Sequence, residues 1–319
     1  MGTDTNGTAI AVRELVKKYG EEVTAVAGID LTVPTNAIFA LLGPNGAGKT
    51  TTVSILTTMA LPTEGTVTVM GLDVVKQADA VRKRIGVTFQ EIVLDVDLTG
   101  RETLEFHGRL YGQSKAKRQA KIDELLAMVE LEEAADRRVK TYSGGMKRRL
   151  ELARGLMTEP EVLFLDEPTQ GLDPQNRAGI WDYIHKLRDE SNLTLLLTTH
   201  YMDEAEVLAD RVAIMDYGRI VAEDTPQALV DQMGADIIQI AGSGSRDAFA
   251  TALEATPFVQ SSSSGNGLIQ IGVDHGNKRL AKIVTLANET NYNIEDISVA
   301  KPSLGDVFLK YTGRQLRDK

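Results

Sequence analysis

Apolar residues in this chain fall into two patterns. The runs Ala37-Ile38-Phe39-Ala40-Leu41-Leu42, Val162-Leu163-Phe164-Leu165 and Leu193 to Thr199 are short and nearly unbroken, which is how parallel strands buried on both faces read. Ile85-Gly86-Val87-Thr88-Phe89 reads as a further strand, and a helix from about Lys49 to Met59 follows the first run. From about Glu91 to Tyr142 the spacing turns helical, with Leu104, Phe106 and Leu110, then Ile122, Leu125, Leu126, Val129 and Leu131, and charges between them. This predicts a helical insert on an α/β core. Past Thr225-Pro226 and a short helix, the pattern predicts strand 236–241, helix 246–254, strands 257–261 and 267–273, helix 277–290 and strand 293–299, an order that suggests a split βαβ unit. The run Ser261 to Gly267 reads as a flexible hairpin loop.

Length and composition narrow the classes. With 319 residues and 42% hydrophobic, the chain holds two domains or one large one, with enough apolar material for a sizeable core. No apolar stretch reaches the roughly 18 to 20 residues of a spanning helix, and Met1-Gly2-Thr3-Asp4-Thr5-Asn6 lacks the basic start and apolar middle of a signal peptide. The expectation is a cytosolic protein unless something else holds it. Gly2 does not suit myristoylation, because Asn6 stands where that motif wants Ser or Thr. Zero cysteines exclude disulfides and thiolate chemistry, and four histidines make a zinc centre a poor reading. A formal charge of −10 and a pI near 5.1 argue against a nucleic-acid partner.

The segment Gly43-Pro44-Asn45-Gly46-Ala47-Gly48-Lys49-Thr50, followed by Thr51, fits the G-x-x-x-x-G-K-[ST] pattern between a buried strand and a helix. Each position has a chemical duty. The glycines let backbone N–H groups turn onto phosphates, Lys49 brings a point charge to the β and γ oxygens, and Thr50 offers a hydroxyl to Mg²⁺. The helix N-terminus adds its dipole. ATP or GTP with Mg²⁺ is the expected ligand.

The run Val162–Leu165 ends in Asp166-Glu167-Pro168, as expected of a strand delivering acids at its carboxyl end. Beside a nucleotide, Asp166 can hold Mg²⁺ through water and Glu167 can polarise an attacking water; on their own the two read equally well as a solvated acidic turn. His200, after the apolar strand, can hydrogen-bond a γ-phosphate; in isolation it reads better as a solvated strand-end histidine.

Tyr142-Ser143-Gly144-Gly145-Met146-Lys147-Arg148-Arg149-Leu150 is a second anion-binding helix start with no phosphate of its own. It resembles the signature motif of ATP-binding-cassette ATPases. The resemblance covers about residues 8–225 and rests on seven motifs in order. It implies Tyr19 as the aromatic stacked on adenine, the P-loop, Gln90 as the Q-loop glutamine that meets the metal and the reacting water, Ser143, Gly144 and Gly145 as the signature, Asp166 and Glu167, Gly171-Leu172-Asp173 as the D-loop, and His200 as the switch histidine. Two signature positions depart from the family pattern: Tyr142 stands where Leu is common and Met146 where Gln is common, so no side-chain amide is available there.

The resemblance implies a P-loop NTPase cassette, a RecA-like core with a helical subdomain at about 91–150, followed by a small α+β accessory domain at 226–319. It also implies magnesium-dependent ATP hydrolysis in a homodimer closed over two ATP molecules, on the cytoplasmic face of the membrane and coupled to separate integral membrane permease subunits. The insert near Gln90 to Asp97 is the candidate coupling surface, and Lys115 to Lys121 reads as a solvated helix face. The ending Pro302 to Arg314 resembles the tail of ATPase subunits of daunorubicin-resistance-type exporters, which favours export. Two rivals stand beside this: a soluble cassette ATPase working on nucleic acid or ribosomes, and an importer ATPase.

Overall fold

In a computed structural model, which describes residues 7–20, 22–233, 236–265, 268–274 and 276–313, the unbroken apolar runs form the middle of one sheet. Its order is Arg219–Asp224, Arg211–Asp216, Ile38–Leu42, Thr194–Thr199, Val162–Asp166, Ile85–Thr88. All neighbours are parallel except the first pair, which is antiparallel. Every residue of the three central strands is buried. Phe39, Leu41, Phe164 and Leu196 on one face share a core with Val53, Ile55 and Leu56 and with a second, antiparallel sheet. That sheet has the order Val23–Pro34, Thr8–Tyr19, Glu64–Val69, Leu72–Asp73. Ile38, Ala40, Leu42, Leu163, Leu165 and Leu197 are equally buried on the other face. Burial on both sides is why these strands read as continuous rather than alternating.

The insert holds helices Gly100–Leu110 and Lys115–Met128, then a short 3₁₀ turn at Val139–Thr141 before helix Gly144–Leu156. Leu104, Ile122, Leu125, Leu126, Val129 and Leu131 are buried, but Phe106 and Leu110 are 59% and 65% exposed. Phe106 lies two residues from Leu104, about 200° around the helix, so the two cannot share a face. Within Lys115 to Lys121, Arg118 is buried rather than solvated, because its Nε donates to Glu105 Oε2 at 2.6 Å and ties the two helices together. The P-loop helix stops at Leu56, short of the expected Met59. Thr57 Oγ1 donates back to Val53 O, and Thr58 takes a left-handed φ of 66°.

The described residues divide into two compact units between Thr225 and Pro226. The second is a four-stranded antiparallel sheet of order Val259–Gly265, Leu268–Val273, Asp236–Gly244, Tyr292–Ala300, with helices Arg246–Glu254 and Gly276–Glu289 in the two crossovers. This is the split βαβ arrangement, with Phe249, Leu253 and Ile283 packed on Ile238, Ile240 and Ile271. The serine run corrects one expectation: Ser261 to Ser264 are strand residues, paired with Gly272 to Ile269. An edge strand needs a partner on one side only, so main-chain bonds outweigh the weak strand preference of serine. The expected loop residues Asn266 and Gly267, the N-terminal Met1 to Asn6 and the tail residue Arg314 lie outside the described residues. Among the described residues, no helix is long and apolar enough to cross a membrane.

Candidate functional site

The loop from Gly43 to Gly48 leaves strand Ile38–Leu42 and enters helix Lys49–Leu56. Two of its glycines are demanded by close approach: a Cβ at Gly43 would lie 2.2 Å from Met215 O, and one at Gly48, where φ is +104°, 2.4 Å from Ala25 O. Ala47 N donates to Pro44 O at 3.1 Å and closes the turn. The first-turn N–H groups of the helix have no intrahelical acceptor, so they are free to meet an anion at this end. Lys49 is 4% exposed, and its Nζ donates to Gly43 O at 2.7 Å and Pro44 O at 3.1 Å. Burial lowers its pKa below the usual lysine range, against the opposing pull of the Glu167 and Asp166 carboxylates.

Strand Val162–Asp166 brings the acids to the same end of the sheet, with one strand between it and Ile38–Leu42. Thr198, in the strand between, organises both: its Oγ1 donates to Asp166 Oδ1 at 2.5 Å and accepts from Glu167 N at 3.0 Å. Thr50 Oγ1 donates to the same Asp166 oxygen at 3.3 Å. Glu167 is 4% exposed and sits at φ +47°, a left-handed conformation uncommon outside glycine and asparagine. Its Oε1 lies 3.4 Å from Lys49 Nζ, and its Oε2 lies 3.1 Å from His200 Nδ1. The His200 contact is at ion-pair distance but does not have hydrogen-bond angles. Burial alone would push the Glu167 carboxyl up; His200 and Lys49 outweigh it and hold it below the ordinary glutamate value.

Lys49, Thr50 and Glu167 border a cleft of about 470 Å³ whose lining also includes Tyr19, Asn45, Gly46, Gly48, Thr51 and Gln90; Asp166 and His200 are not among its lining residues and reach it through their contacts with Thr50 and Glu167. Tyr19 ends strand Thr8–Tyr19 at 49% exposure, with Lys17 Nζ 4.9 Å from its ring centroid. Gln90 is exposed at the rim, its Nε2 donating to Gln170 Oε1 at 2.6 Å. Among the described residues no cluster of three or more acids or histidines is placed to hold a metal by itself. Mg²⁺ bound with a nucleotide takes most of its ligands from phosphate and water, and the converging Thr50 hydroxyl and Asp166 carboxylate fit that need.

Ser143, Gly144 and Gly145 do not line this cleft. Ser143 caps helix Gly144–Leu156, its side chain accepting from Met146 N at 3.2 Å. Gly145 lies against Asn176, whose Oδ1 would stand 2.5 Å from a Cβ there. Asn176 belongs to helix Pro174–Glu190, capped by Asp173. Tyr142 is 5% exposed, and its Oη donates to Ala134 O at 2.6 Å. Thr198 and Arg148 are marked in the sequence only as polar residues at buried register positions, a hydroxyl in the run Thr194–Thr199 and an arginine on the apolar face that includes Leu152 and Leu156; nothing in the sequence marks the exposed Gln170.

A family model described as ABC transporter matches residues 26–170. The daunorubicin resistance ATP-binding protein of Streptomyces coeruleorubidus is 42% identical over 98% of this chain and 98% of its own length. The Nod factor export ATP-binding protein I of Paraburkholderia xenovorans is 41% identical over 97% of this chain and 99% of its own. Among solved structures, the dimeric post-hydrolysis state of the ATP-binding cassette MJ0796 bound to ADP and Pi aligns with a TM-score of 0.61 at 28% identity, covering 68% of this chain and 98% of that one. The cleft, the family match and the likeness to these two relatives over nearly the whole length agree: the chain belongs to the ABC transporter family, as one of its ATP-hydrolysing, ATP-binding subunits.

Proposed function

We propose that the chain powers export through separate membrane-spanning subunits, with Glu167 as general base and ATP held by the 43–51 loop. The observation that carries this is the placement of Glu167, its two oxygens flanked by Lys49 and His200 at the edge of the P-loop cleft. An ionised carboxylate there can take a proton from water. Lys49 draws charge from the phosphates, and His200 positions the γ-phosphate. Thr50 and Asp166, with Gln90 at the rim, would hold Mg²⁺, and the ion would supply charge neutralisation to the phosphates. Tyr19 stacks on the base.

Ser143, Gly144 and Gly145 serve the site of a second copy, so hydrolysis needs a dimer. Three things support this: these residues lie outside the chain's own cleft, they start a helix able to meet an anion, and a cassette of similar fold has been solved as a dimer. The names of the relatives, daunorubicin resistance and Nod factor export, favour export over import. For the membrane partner the face is the helical insert, where Ile92, Val93, Val96, Phe106 and Leu110 stand exposed. The Glu167→Gln variant tests the base: turnover falls ~100-fold or more while ATP binding persists. Near-normal turnover in that variant would remove Glu167 from the role.

A further inference from the structure

The signature helix carries a charged pair on its buried side that the nucleotide cleft does not use. Arg148 is 3% exposed and Glu151 is 0% exposed. A guanidinium has five N–H hydrogens, and Arg148 makes five hydrogen bonds. Its Nε donates to Pro168 O at 2.6 Å, one Nη to Phe89 O at 2.6 Å and Glu151 Oε2 at 3.0 Å, and the other Nη to Asp166 O at 3.1 Å and Glu167 O at 3.0 Å. Three successive carbonyls therefore converge on one cation. They belong to the turn in which Glu167 is left-handed, a conformation that persists only where its surroundings impose it.

Glu151 holds the cation from the other side, and its Oε1 accepts from Val93 N at 3.3 Å. Phe89 and Val93 bracket Gln90, so the pair grips both ends of the segment that carries this residue. A hydrogen-bonded path thus runs from the exposed segment after Gln90 to the backbone of Glu167. Packing does not demand such a pair, since a buried ion pair can often be replaced by apolar residues without loss of stability.

We propose that Arg148 is a positioning residue for hydrolysis: it holds the Asp166-Glu167-Pro168 turn so that the Glu167 carboxylate faces the cleft, and through Glu151 it ties that turn to segment 89–93. This rests on Glu167 being the base. Lysine cannot substitute, because a compact ammonium with three donors does not span carbonyls arranged for a planar fork.

The test uses the full chain, with ATP turnover per nucleotide-binding site, ATP Kd and thermal unfolding measured for Arg148→Lys, Arg148→Met and Glu167→Gln together. Arg148→Lys is expected to lower kcat about tenfold or more, as a small misplacement of a reacting group does. Arg148→Met lowers it further, and both bind ATP within about twofold of the parent, a factor worth little beside the kcat change. A purely structural role would lower the melting temperature and leave kcat per site unchanged, which overturns the proposal; so does an ATP Kd that weakens in step with kcat. Normal turnover in Glu167→Gln would instead bring down the base assignment itself. If the Arg148 variants do not fold, Glu151→Gln decides. It keeps shape and the Val93 acceptor but removes the charge facing Arg148, so a several-fold loss of kcat supports the relay and an unchanged kcat overturns it.

Discussion

At the scale of single residues, Tyr142 shows how one side chain constrains its neighbours. Its Oη lies 2.4 Å from where a Cβ at Gly100 would stand, and it donates to Ala134 O. Gly100→Ala is therefore an overpacking change, expected to cost about 1–3 kcal/mol in denaturant unfolding. Tyr142→Phe loses one hydrogen bond, about 1 kcal/mol, but also removes the oxygen the methyl would strike. The double variant should thus lose less than the sum of the singles, since the two sites touch; strict additivity would contradict the contact. The sequence showed Tyr142 only as a departure from a motif. Its partner Gly100 is 42 positions away, and nothing local marks it.

At the scale of elements, helices Gly100–Leu110 and Lys115–Met128 are clamped by Glu105 and Arg118. The Arg118 hydrogen bond is the main cause that holds the Glu105 carboxyl at about 2, against an ordinary 4.5. The folded value is depressed, so the stabilisation is complete above pH 4.5 and is lost as pH falls from there toward 2. The stability gap between the parent and Glu105→Gln should accordingly be constant above pH 4.5 and shrink below it, as read from thermal unfolding across pH 3 to 7. A gap unchanged at pH 3 would count against the clamp. The same pair explains what helical spacing could not resolve. Periodicity places Ile122, Leu125 and Leu126 in the core, but it cannot tell that a lysine-rich stretch turns one arginine inward, because that depends on an acid in a different helix.

At the scale of the whole molecule, one chain offers one P-loop and one signature, and the two do not share a cleft. Two copies placed head to tail would complete two composite sites. Mixing Lys49→Ala chains, which keep the signature, with Gly144→Arg chains, which keep the P-loop, is expected to restore ATPase activity that neither variant has alone. A mixture as inactive as its components would contradict the shared site. Removing the Lys49 charge by itself should abolish ATP binding or nearly so, measurable by nucleotide titration.

The sequence by itself determined what depends on local spacing. The 43–50 loop, the acids at the end of a buried strand and the split βαβ order of residues 236–300 are all patterns within a few tens of residues, where backbone geometry translates directly into residue choice. Tertiary structure alone decided which distant groups meet. It placed Thr198 between Asp166 and Glu167, set Lys49 and His200 on either side of one carboxylate, closed Arg148 over three carbonyls, and left Phe106 and Leu110 outside the core. These outcomes follow from strand order and from which helix faces are covered. Both are set by the packing of elements far apart in the chain, and no spacing along the chain records them.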